Sequence, residues 1–87
     1  MSTLNDEILR ATGGPTVNDG LRAWYLANGA VGPVTATLND LEWQFLRVQM
    51  PVGTSTTLND MWMDYLSNLG YTGTINDMKL QYWSAQP

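Results

Sequence analysis

Apolar and polar positions along the chain fall into a pattern that restarts five times. Each restart is the tetrapeptide Thr-aliphatic-Asn-Asp: Thr3-Leu4-Asn5-Asp6, Thr16-Val17-Asn18-Asp19, Thr37-Leu38-Asn39-Asp40, Thr57-Leu58-Asn59-Asp60 and Thr74-Ile75-Asn76-Asp77. With each Thr counted as zero, apolar side chains recur at +1 (Leu4, Val17, Leu38, Leu58, Ile75) and at +4 or +5 (Ile8, Leu21, Leu41, Met61, Trp62, Met78). They return at +8 (Ala11, Trp24, Phe45, Tyr65, Tyr82) and at +9 (Tyr25, Leu46, Leu66, Trp83). At about 100° per residue these positions share one broad stripe, the core face of an amphipathic helix.

The tetrapeptide itself reads as a helix start. A Thr followed three residues later by Asp fits a capping box, in which the hydroxyl accepts from the Asp N–H and the carboxylate accepts from the Thr N–H. The carboxylate also lies in the first turn, where the helix dipole favours negative charge. The pairs are Thr3 with Asp6, Thr16 with Asp19, Thr37 with Asp40, Thr57 with Asp60 and Thr74 with Asp77, which use five of the eight acidic residues. A competing register makes each Asn the cap and moves every start by two residues. Gly13, Gly29 and Gly70 suit the left-handed position that ends a helix, and Pro51 forbids continuation of the third. The spacing therefore predicts an all-α fold of about five short helices, near 4–12, 17–28, 38–50, 58–69 and 75–85. Short connections rich in Gly, Pro and Thr imply neighbours packed antiparallel or at a steep angle. Successive Asn residues are 13, 21, 20 and 17 apart, so loops of unequal length separate the units. With 87 residues the chain makes a single domain spanning 1–87.

Position +8 holds an aromatic in four of five units, and Trp24, Phe45, Tyr65 and Tyr82 are expected to be buried against the +1 aliphatics of adjacent units. Position +6 lies about 130° from the middle of the stripe, yet it carries Leu9, Trp43, Met63 and Leu80, with Arg22 the exception. Such side chains are either covered by a second layer or left as a contact surface. The candidate interface is Trp43 and Met63, with Trp62 beside them and the loop residue Tyr71, since Trp and Met are favoured at interface cores. The repeated Asn admits two readings: an exposed first-turn amide, or a side chain that reaches a neighbouring unit and fixes the stacking.

Composition narrows the functions. There is no Cys and no His, which removes disulfides, thiolate and imidazole metal sites, and the commonest general base. Asp60 and Asp64 stand four apart, a spacing that marks a solvated helix face, and none of the common phosphate, calcium or hydrolase motifs is present. The expectation is a non-enzyme without cofactor or metal. The net charge is −4, and the basic residues Arg10, Arg22, Arg47 and Lys79 are dispersed, which argues against nucleic acid as a partner. No apolar run approaches the roughly 18 residues of a membrane span, and MSTLNDEILR reads as no signal peptide.

The units TLNDMWMDYLSNLGYTG and TINDMKLQYWSAQP resemble short repeats of structural proteins in tailed bacteriophages. In those repeats Ser/Thr-Leu/Ile-Asn-Asp precedes an amphipathic stretch ending Tyr-Leu or Tyr-Trp and a Gly-x-Ser/Thr-Gly turn. Units two, four and five match well; unit three ends in Met50-Pro51 and unit one stops at Gly13-Gly14. The resemblance implies a non-enzymatic virion component: a capsid decoration or cement protein, a minor capsid protein, or a head–tail or tail accessory. Its implied partners are other virion proteins (capsid, portal-proximal or tail subunits), bound in multiple copies per particle, with no nucleic acid and no membrane. The implied location is the virion, and the host cytoplasm before assembly. The alternative is a small adaptor or regulator that binds one partner protein through an aromatic surface.

Overall fold

The computed structural model describes residues 3–50 and 56–87. Among the described residues the fold is all-α, with five helices and no strand: α1 (Leu4–Thr12), α2 (Val17–Ala27), α3 (Leu38–Gln49), α4 (Leu58–Asn68) and α5 (Ile75–Ser84). Pro51, the expected stop of α3, lies outside the described residues. The helix itself ends at Gln49, where the N–H of Met50 still donates to the Leu46 carbonyl.

Every helix begins where its Thr places it. Each Thr is an extended N-cap whose hydroxyl accepts from the Asp N–H at 3.1–3.2 Å, which puts Asn at the second helical position and rules out the Asn register. In α1, α3 and α5 the carboxylate of Asp6, Asp40 or Asp77 also accepts from the Thr N–H at 3.2 Å, completing the box. The N-cap φ separates these from the other two. Thr3, Thr37 and Thr74 sit at φ −83°, −75° and −70°, whereas Thr16 and Thr57 sit at −133° and −121°. Rotation about φ swings the N–H, and the more extended caps turn it from the carboxylate.

The exit of α4 is equally local. Gly70 has φ 94°, a left-handed value that costs a Cβ-bearing residue about 1–2 kcal/mol. It lets the Gly70 N–H reach the Ser67 carbonyl and the Tyr71 N–H reach that of Leu66, a Schellman stop. The residue after such a glycine folds back on its helix, which is why Tyr71 is half-buried against the core.

The five helices close into a ring. Each packs on its neighbour in sequence, and α5 returns to pack on α1. The Cα envelope is a disc of 35 × 33 × 19 Å. Like ends meet at the α2–α3, α3–α4 and α5–α1 seams, so these helices do not alternate as in an antiparallel bundle, whereas the end of α1 lies against Gly20 early in α2. Val48, late in α3, lies against Gly29 just past α2, and Asn68 of α4 donates to the Met50 sulfur at the end of α3 at 3.6 Å. At the closing seam Arg10, late in α1, bonds to carbonyls at the end of α5.

The later turns thus bring the +8 rings together. Trp24 meets Phe45 at 5.0 Å between centroids, Phe45 meets Tyr65 at 6.0 Å, Tyr65 meets Tyr82 at 5.8 Å, and Tyr82 returns to Trp24 at 6.1 Å. Phe45 and Tyr82 are buried while Trp24 and Tyr65 are half-buried. The +1 aliphatics, half-buried, pack against this core from its margin. Aromatic edges prefer aromatic neighbours at these separations, each pair being worth about 0.5–1.5 kcal/mol beyond burial. Unit one offers only Ala11 at +8, so Trp24 and Tyr82 close the circuit without it.

Candidate interaction surface

Three successive helices present Glu42, Trp62 and Lys79 at the same +5 position. The Trp62 indole N–H donates to Glu42 Oε1, and the Lys79 ammonium stands 5.3 Å from the centroid of the same ring. A carboxylate in the ring plane and a cation over its face match the positive edge and negative face of an indole. Trp62 is only 1% exposed and touches Phe45, Tyr65 and Tyr82. Its expected place in an interface is therefore corrected. Position +5 belongs to the core stripe, and burial of the indole is permitted because its one donor is satisfied.

The other three candidates divide. Met63 is 42% exposed at +6 of α4. Trp43, at +6 of α3, is half-buried against the core, with the Arg47 guanidinium one turn on standing 5.4 Å from its centroid. Tyr71, likewise, packs onto the core rather than projecting from its loop. Arg22, the one charged residue at +6, is occupied within the fold. Its guanidinium donates to the Ala36 and Val34 carbonyls at 2.6 and 2.8 Å, covering the connection between α2 and α3. Gln44 holds the same segment by accepting from the Val31 N–H at 2.8 Å.

The most exposed large apolar residues lie beyond the positions that the repeat brought to notice. Leu26, Val48 and Leu69 are 43%, 55% and 49% exposed near the ends of α2, α3 and α4, and Val31 and Val34 stand out from the α2–α3 connection. The Val48–Gly29 and Asn68–Met50 contacts make these ends adjacent, so the apolar residues follow one arc of the ring. Their signal in the sequence was an aliphatic at +10 to +12, past the last repeated position at +9, and two valines in a loop.

The five Asn side chains are exposed, and none bonds to a neighbouring unit among the described residues. The stacking reading gives way to the simpler one, a solvated first-turn amide. Two phenols sit in the opposite condition. Burial, aided by the Glu42 carboxylate, pushes Tyr25 far above the usual range, and burial with a hydrogen bond to Tyr65 does the same for Tyr82. Among the described residues no cleft opens, no group of three or more carboxylates converges, and no helix is long and apolar enough to cross a membrane. No protein-family model, no curated protein and no solved structure matches this chain.

Proposed function

We propose that the chain is a non-enzymatic structural component of a bacteriophage virion, acting by contact with other virion proteins. The observation that carries the contact reading is the apolar arc of Leu26, Val31, Val48 and Leu69, with Met63 a further exposed apolar residue on α4. The ring is complete without a partner: its accessible surface is 5232 Å², against about 5,100 Å² expected for a folded monomer of this mass. Exposed apolar side chains are then surplus to folding, and burying them on a partner recovers about 25 cal/mol per Å². The virion setting rests on the Thr-aliphatic-Asn-Asp units and their likeness to phage structural repeats.

Mass spectrometry of purified particles is the test of setting. A stoichiometric amount of this chain supports the proposal; absence from particles leaves the adaptor reading in its place. Val48→Asp with Leu69→Asp is the test of surface. The doubly substituted chain should retain its helical content and fail to join particles; normal incorporation would move the interface elsewhere.

A further inference from the structure

The closing seam differs from the other four. From α1 only Ile8 is buried, and from α2 only the Tyr25 side chain, whereas α3, α4 and α5 each bury three side chains. The aromatic circuit already closes through Trp24 and Tyr82, and Trp24 also meets Trp83 at 4.7 Å. α1 packs on α5 at least as extensively as any other neighbouring pair of helices, with Leu4 and Ala11 half-buried against the core, and one guanidinium supplies the hydrogen bonds across the seam. Arg10, steadied by Glu7 at 2.9 Å, donates to the carbonyls of Trp83 at 2.8 Å, Ser84 at 3.5 Å and Gln86 at 2.9 Å. Those carbonyls end α5 or follow it, where the regular helical donors run out, although the Trp83 carbonyl also accepts from the Gln86 N–H at 3.2 Å. At the other end of α1 the chain turns through Gly13, at φ 70°, and Gly14. A Cβ on Gly14 would collide with the Gly20 backbone, so this junction is a close pivot for which a larger residue has no room.

We infer that α1 is a strap: it opens as a unit about Gly13-Gly14 while α2–α5 stay folded around their own aromatic circuit, and Arg10 is the latch that keeps it shut. Opening frees the polar contacts of the seam and uncovers Ile8 and the core it covers, drawing the half-buried Leu4 and Ala11 away with it.

Native-state hydrogen exchange on the whole chain tests this. In the wild type the amides of α1 should exchange through a smaller opening than those of α3, α4 and α5. Arg10→Ala should speed α1 exchange about 10–100-fold, the effect of losing hydrogen bonds to a charged group, and leave the other helices unchanged. Arg22→Ala removes a comparable pair of carbonyl bonds elsewhere and should not free α1. The inference is overturned if α1 exchanges together with the other helices in the wild type. It also fails if Arg10→Ala accelerates all five alike, or if that variant unfolds altogether.

Discussion

The α1–α5 seam and the α2–α5 arc are built from the same repeated unit, yet they are held by different forces. Along the arc, aromatic rings at +8 meet one another, and Trp62 adds a buried indole whose donor is satisfied by Glu42. At the seam a small side chain, Ala11, occupies +8; Ile8 and Leu4 supply the other apolar packing, and Arg10 adds bonds to three backbone carbonyls. Ring contacts depend on apolar area and tolerate small shifts. Charge-assisted bonds to carbonyls depend on geometry and compete with water. A repeat can therefore close on itself even when one unit lacks the residue that joins the rest, provided a charged side chain reaches across.

The sharpest way to break this contrast is to strike each side once. Phe45→Ala should destabilise the protein by about 3–5 kcal/mol through the cavity it leaves. Against a total of about 5–15 kcal/mol for a domain, that empties the arc of its central ring and threatens the whole fold. Ile8→Ala should cost about 2 kcal/mol, the low end for such truncations, with α1 melting ahead of the rest. Denaturant titration followed by tryptophan fluorescence measures both; an equal loss would erase the distinction between arc and seam.

Alkali offers a second handle, because both strongly perturbed phenols belong to the arc. A phenol raised above its unfolded value of about 10 stabilises the fold fully below that pH. The contribution is lost as pH climbs from there toward the folded value, since the unfolded chain releases its proton first. Helicity should accordingly fall on raising the pH past about 10, and Tyr25→Phe should shift the fall upward. A fall unmoved by that substitution would assign it to other groups.

Smaller effects sharpen the comparison among units. Thr37→Ala and Thr57→Ala should each cost about 0.5–2 kcal/mol, and Asp40→Ala should cost more than Asp60→Ala, because only the Asp40 carboxylate also accepts from the N–H of its cap. Equal values for the two Asp variants by thermal denaturation would mean that the bond Asp40 accepts from the Thr37 N–H adds nothing. Smallest of all, Met63→Ala should change stability by no more than about 0.5 kcal/mol, as exposed positions do. A larger loss would make Met63 part of the core and remove it from the proposed contact surface.

What the sequence made legible follows the range of the forces involved. The five helix starts could be read because a cap is settled within four residues, as Thr3 to Asp6 shows. Gly70 was readable for the same reason. Burial of Phe45 and Tyr82 followed from periodicity, which registers which face is inside but not what it meets there. The encounter of +8 rings and the closure of α5 on α1 depend on contacts between distant units, and no local signal encodes them. Trp62 was misplaced because a tryptophan beside Met63 resembles an exposed pair until the Glu42 acceptor on another helix is known. The arc of Leu26, Val48 and Leu69 was overlooked because its members fall in the last turn and just past it, outside the repeating frame.

A closed ring of sequence neighbours also has a kinetic meaning. Four of its five seams join consecutive helices, and one joins groups as far apart as Arg10 and Gln86, 76 residues along the chain. Contacts between near neighbours form with little loop entropy to overcome, and proteins dominated by them fold quickly. The α1–α5 seam and the Trp24–Tyr82 and Trp24–Trp83 ring contacts are the long-range closures, so their formation should come late, after the contacts between consecutive helices α2 to α5 have formed. In the language of transition states, Phe45 belongs to the nucleus and Arg10 does not: changes at Phe45 should slow folding, while changes at Arg10 should chiefly hasten unfolding.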